Sequence, residues 1–270
     1  MKVLILNAFL LTTGIILSHP AKAIINGEKV PTSYFKNAVA SIDLGVEGCS
    51  ATLIGSQTIL TAGHCAENND NEDAYVYINK EEYTFRYVKN ELFSSSDVNS
   101  RLYDYAIGVL AEKVPEAVAH PARLSFKQVS AGDAVTMAGY GCRSPGPHET
   151  FQDHPELAPP QWHNGEVVKG AATISRLNAK GLIYIFSVNT AAACAGDSGG
   201  PLLTPEIKNG ISVWSVRGIL SQGGPYTEKG VLTDFSGYAP ITTPEFKTYL
   251  DAAIKSNHLE ICGVNSECSS

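Results

Sequence analysis

Ser198 lies in "CAGDSGGPLL" (residues 194–203), flanked by glycines. Such a serine can stand exposed on a tight turn where backbone N–H groups converge on one point, as stabilisation of an oxyanion requires. Alone, a Gly-x-Ser-Gly cluster is common in ordinary turns. Two other stretches change its meaning. "LTAGHCA" (60–66) puts His64 beside Cys65 at the end of an apolar run, and "YDYAIGVL" (103–110) puts Asp104 at the start of a buried-type strand. A lone histidine is more often structural, and an aspartate before a strand is usually a cap or a turn residue. Taken together, the three supply a nucleophile, a general base and an orienting carboxylate, the set that acyl transfer needs.

The elements that must position them are mostly short β-type runs separated by Gly, Pro, Asn and Ser clusters: 38–44, 50–54, 74–78, 106–110, 134–138, 182–188 and 213–220. That spacing predicts an all-β, antiparallel sandwich or barrel protein, and the lack of βαβ alternation argues against a doubly wound sheet. One helix is expected, in "PEFKTYLDAAIKSN", where Pro244 suits a first turn and Phe246, Leu250 and Ile254 recur on one face. Residues 142–165, rich in Pro and His, read as a long exposed loop.

The chain has 270 residues, 44% hydrophobic and 17% charged, as a globular protein with a large core would. Its net charge of −7 and the absence of a basic stripe exclude broad affinity for nucleic acid. Residues 1–23 form a separate object: Lys2 precedes a mostly apolar run, and Ala21-Lys22-Ala23 has the small-x-small pattern of an export signal. The run is interrupted and short for a membrane span, so no membrane attachment is expected after its removal. Removal takes away two of the 20 basic residues and none of the 27 acids, so −7 becomes −9. The expected location is outside the cell, or the periplasm of a Gram-negative bacterium.

The six cysteines, Cys49, Cys65, Cys142, Cys194, Cys262 and Cys268, read as three disulfides in an exported chain, with fifteen possible pairings. No Cys/His spacing suggests zinc. His148, His154 and His163 share one loop without single-face geometry, and "NNDNED" (68–73) lacks the spacing and glycine of an EF-hand. No metal and no cofactor are expected.

With IING (24–27), TAGHC (61–65), DYAI (104–107) and GDSGGP (196–201) on one chain, the sequence resembles the trypsin/chymotrypsin-type serine peptidases from Ile24 to the C-terminal helix. An esterase elbow would want GxSxG and the order Ser, Asp, His instead. The resemblance implies two antiparallel six-stranded β-barrels with a C-terminal helix, a peptidase domain over 24–270, a join near 120–135 and the site between the barrels. It implies a secreted endopeptidase acting on protein or peptide substrates through an acyl-enzyme, with His64, Asp104 and Ser198 catalytic, and a monomer. It also implies an oxyanion hole from the amides of Gly196 and Ser198. Ser221 would support Asp104, and Gln222 and Gly223 would run beside the substrate backbone. The amine of Ile24 would pair with Asp197 once freed. Because Ile24 follows Ala23 directly, export itself is expected to release that amine, with no zymogen stage.

By the same resemblance the specificity pocket has Ala192 at its floor, Ala193 beside it, and Gly223 and Gly230 along its wall. An uncharged pocket of that kind predicts large apolar residues such as Phe, Tyr, Leu or Met before the scissile bond (P1). The alternative is P1 Lys or Arg, if Glu228 or Asp234 reaches the pocket. A catalytically silent binding protein on the same fold is the rival from another class. Two departures from the family stand out: Gln222 replaces a usual Trp, and Cys194 lacks its usual partner after "SQGG". The pairings expected from the resemblance are Cys49–Cys65, Cys142–Cys194 and Cys262–Cys268.

Overall fold

The structure is a computed structural model that describes residues 24–44, 47–67, 74–141, 166–188, 190–208, 210–228 and 230–267. The acidic turn at 68–73, the loop histidines, the leader at 1–23, Cys142 and Cys268 lie outside those residues.

The first half is a closed barrel of six strands: β2 (Val39–Leu44), β3 (Glu47–Gly55), β4 (Thr58–Thr61), β5 (Ala74–Ile78), β6 (Glu81–Val88) and β7 (Ala106–Leu110), in the order β2-β3-β4-β7-β6-β5. Its inward residues, among them Ile42, Leu53, Ile59, Val76, Phe85 and Ile107, are fully buried. Alternation along each strand places such residues on one face, and closure removes the exposed edges. A short β1 (Glu28–Pro31) precedes the barrel and pairs with the second half.

The second half holds β8 (Arg123–Leu124), β9 (Ala134–Gly139), β10 (Glu166–Thr173), β11 (Arg176–Leu177), β12 (Ile183–Ser187), β13 (Pro201–Lys208), β14 (Ile211–Glu228) and β15 (Val231–Pro240). Together with β1 they form a nine-stranded sheet among the described residues, where a second ring of six had been expected. The chain crosses over between Ala122, whose amide donates to Leu53 O of the barrel (2.8 Å), and Ser125, whose amide donates to Val216 O of β14 (3.3 Å).

The helix α2 (Pro244–Asn257) falls on the expected residues. Thr243 caps it by accepting from the Phe246 amide at 3.1 Å, and His258 ends it in a left-handed turn. Phe246, Leu250 and Ala253 bury its inner face. Phe246 meets Tyr105 edge-on at 4.9 Å, so the helix packs directly behind the segment that carries Asp104.

Candidate active site

His64 belongs to a single helical turn, α1 (Gly63–Ala66), at the end of β4. The turn is tight: a Cβ at Gly63 would lie 2.9 Å from the Phe93 ring and 3.2 Å from Asp104 Oδ1. Cys65 is bonded to Cys49 and pins the turn to β3. Although His64 and both sulfurs are clustered, the sulfurs are bonded to each other and offer no thiolate to a metal.

Asp104 follows a 3₁₀ turn over Val98–Tyr103, which Asp97 caps by accepting from Asn99 N at 2.8 Å. Its carboxylate is fully buried. Burial of an unpaired carboxylate is costly, and here the partners are present. Oδ1 accepts from the His64 amide at 2.8 Å, and Oδ2 lies 2.9 Å from His64 Nδ1 and accepts from Ser221 Oγ at 2.6 Å. A register shift in the β14–β15 pairing between Leu220 and Gln222 falls at Ser221, where such a bulge re-aims a side chain. Sequence reasoning missed Arg101, whose Nη1 stands 3.5 Å from the same Oδ2, while its guanidinium lies over the Phe93 ring at 5.8 Å. The i,i+3 spacing from Asp104 was the available signal.

Ser198 is half-buried at a turn next to His64's neighbour: Cys65 Sγ lies 3.9 Å from Ser198 O. Its hydroxyl makes no hydrogen bond to His64 among the described residues; such contacts are often loose before substrate binds. The Asp197 amide is engaged with Cys194 O at 3.1 Å. Among the described residues the amides of Gly196 and Ser198 have no protein acceptor, so both are available to an incoming oxygen. Gly196 has φ +89, a conformation that favours glycine.

Asp197 is buried beneath this turn and accepts from Ile24 N at 3.2 Å, Gly141 N at 2.7 Å and Cys194 N at 2.9 Å. Burial pushes its carboxyl up to about 6, against the pull of those three amides. Ile24 is itself buried with φ +52, a strained conformation for a β-branched residue. Ile25 and Ala192 exchange backbone hydrogen bonds of 2.8 and 3.1 Å, which ties the segment to the expected pocket floor.

Around that floor the structure brings together Ala192, Ala193 and Gly223: a Cβ on Gly223 would lie 3.5 Å from the Ala193 Cβ. Gly230 is not among them. It lies at the turn between Glu228 and Val231, at the far end of the β14–β15 hairpin, with nothing within 4 Å of a would-be Cβ. The residue across from Gly223 is Ser236, fully buried, whose Oγ accepts from the Ala193 amide at 2.9 Å. The β14–β15 pairing runs on from Gly223 and Ser236 to Glu228 and Val231, which leaves Gly230 at its end. Cys194 and Cys262 are both disulfide-bonded, and their expected partners lie outside the described residues.

The trypsin family model matches residues 24–242. The chain belongs to the trypsin family. Among curated relatives, the snake venom serine protease ussurase of Gloydius ussuriensis is 28% identical over 214 residues, 73% of this chain and 90% of that protein. The β-fibrinogenase brevinase of Gloydius blomhoffii is 30% identical over 186 residues, 65% of this chain and 74% of that protein. Among solved structures, neuropsin, a serine protease expressed in the limbic system of mouse brain, superposes with a TM-score of 0.61 at 19% identity. That match covers 87% of this chain and 98% of the other, and supports the fold. This trypsin-family protein is a serine endopeptidase, a hydrolase.

Proposed function

We propose that this protein is a secreted endopeptidase that cleaves after apolar residues through an acyl-enzyme on Ser198. The carrying observation is the fully buried Asp104, which holds both the backbone and the ring of His64 while Ser221 closes its second oxygen. With Nδ1 held by Asp104, Nε2 of His64 is left to take the Ser198 proton as Oγ attacks the scissile carbonyl. The carbonyl oxygen becomes an oxyanion between the amides of Gly196 and Ser198, each contributing about 3 kcal/mol in sites of this kind. His64 returns the proton to the leaving amine, and water repeats the sequence to free Ser198.

The peptidase unit spans 24–270, with its halves joined near 120–135. Residues 1–23 act as the export signal, and the cut after Ala23 makes Ile24 N an ammonium facing Asp197. The break also removes the preceding carbonyl carbon, and with it the strain at φ +52. The mature chain acts outside the cell or in a periplasm, as a monomer, on proteins or peptides.

At P1 the floor residue Ala192 offers no charge, and a buried side chain there gains about 1.5–3 kcal/mol. Phe, Tyr, Leu and Met are the expected choices, with Ser236 limiting depth. A second reading, P1 Lys or Arg, has one observation in its favour: Asp234 is two residues from Ser236 in β15 and so shares its strand face. The test is hydrolysis of a peptide library varied at P1 by the protein with a free Ile24. Cleavage after Phe, Leu and Met supports the main reading. Cleavage confined to Lys and Arg, lost in Asp234→Ala, supports the second. No cleavage of any peptide overturns both.

A further inference from the structure

We propose that Ser50 is a positioning residue for the oxyanion hole, a hydroxyl clip that holds the nucleophile turn from the opposite half of the molecule. The inference rests on the acyl-enzyme reading above. Ser50 lies in β3 of the closed barrel and is fully buried. All its polar groups are engaged. Its Oγ–H donates to Gly196 O at 3.0 Å, and its Oγ accepts from Tyr140 N at 2.9 Å. Its amide donates to Ser198 O at 2.7 Å, and its carbonyl accepts from Thr61 Oγ1 at 2.8 Å. One barrel residue thus grips the carbonyls of both residues whose amides face the substrate oxygen.

The physical need for such a grip comes from Gly196. Glycine is the residue least able to fix its own peptide planes, and at φ +89 its N–H direction depends on what pins its neighbours. The Asp197 carboxylate pins the turn from one side, through Ile24, Gly141 and Cys194. Ser50 pins the Gly196 carbonyl from the other. The two supports share a base: the consecutive amides of Tyr140 and Gly141 serve Ser50 Oγ and Asp197 Oδ1 respectively. Each support therefore favours the same arrangement of the turn, and loss of one leaves more of the ordering to the other.

The test is Ser50→Ala, which removes one oxygen and keeps the Cβ, in the protein cut at Ile24. Thr32→Val is the control. It removes a buried hydroxyl that donates to Asn79 Oδ1 at 3.2 Å. Expected for Ser50→Ala is a fall in kcat of about 10- to 100-fold with KM within about twofold. A peptidyl boronate, which mimics the tetrahedral oxyanion, loses affinity by the same factor, while an uncleaved product peptide binds as before. The alkaline limb of kcat also moves to lower pH, because the Ile24 ammonium is held less firmly when the turn is looser. Thr32→Val keeps kcat and the boronate affinity. If Ser50→Ala only melts earlier, with kcat and boronate affinity within twofold of the parent, the proposal is wrong. Equal losses in boronate and product-peptide binding also overturn it, since they mean a general collapse of the site. A parent enzyme that hydrolyses nothing would count against the acyl-enzyme reading instead.

Discussion

Ile24 and Asp197, 173 residues apart in sequence, are joined by a 3.2 Å hydrogen bond from the Ile24 nitrogen to a carboxylate oxygen. In the uncut chain that nitrogen is an amide; a cut after Ala23 makes it an ammonium. Burial pushes the Asp197 carboxyl up to about 6 from the ordinary 3.8. The folded uncut chain then keeps a proton that the unfolded chain has released, so its stability falls as pH rises from about 4 to about 6. An ammonium offsets that loss by favouring the charged carboxylate. The cut form is expected to melt several degrees above the uncut form at pH 7. The gap narrows below pH 6 as Asp197 takes a proton, and above roughly pH 9 as the amine loses one. Calorimetry of both forms at pH 5, 7 and 9 checks this, and equal melting at pH 7 would contradict it.

Arg101 gives the cleft a charge that the P1 pocket lacks. It lines a cavity of about 300 Å³ together with Gln222, Lys180, Tyr184 and Leu182. The family resemblance places the substrate backbone beside Gln222, and on that proposed placement this cavity would receive residues upstream of P1. Peptides with Asp or Glu two to four residues before the cut should be cleaved about three- to tenfold better than Lys-bearing counterparts at low salt. The preference should shrink in Arg101→Ala and in high salt. A panel of isosteric peptides read as kcat/KM decides it.

Ser236, across from Gly223 and hydrogen-bonded to the Ala193 amide, bounds the P1 pocket on the proposed reading. Ser236→Gly should raise kcat/KM for Tyr and Trp at P1 relative to Leu by about tenfold, the worth of one or two buried methylenes. An unchanged ranking would mean that Ser236 does not bound the pocket.

Tyr249 couples α2 to the barrel. Its hydroxyl accepts from Ile107 N at 2.7 Å and donates to Val88 O, bridging two residues that are Cα partners in the β6–β7 ladder. Burial pushes this hydroxyl well above the ordinary tyrosine range, so the bridge is indifferent to pH over any working range. Tyr249→Phe leaves both backbone groups unpaired and should cost about 1–3 kcal/mol. That is a drop in melting temperature of roughly 3–10 °C for a domain of this size. A thermal melt suffices to measure it.

Much of this was legible in the sequence for a physical reason. Strands such as Ala74–Ile78 and Ala106–Leu110 are bounded by turn residues, and α2 carries both its cap and its apolar face locally. The residues around Asp104 and Ser198 were readable because their types are those a proton relay requires and because their motifs resemble those of the trypsin/chymotrypsin-type peptidases. Two features were not. β14 runs through Gly223, Gly224 and Pro225, which read locally as a turn, and the strand persists because β15 pairs with it residue by residue. That long-range pairing sets Ser236 across from Gly223 and leaves Gly230 at the hairpin end. Ser50 was unremarked because its role depends on a residue 146 positions away.

The central claim is a nucleophilic Ser198 activated by His64 and Asp104. The most direct measurement is the intact mass of the protein with a free Ile24 after exposure to a fluorophosphonate. The expected result is one adduct per chain, mapped to Ser198 and absent from Ser198→Ala, and formed at least a hundredfold more slowly in His64→Ala. A folded chain with a free Ile24 that gains no adduct, or gains one elsewhere, would contradict the account.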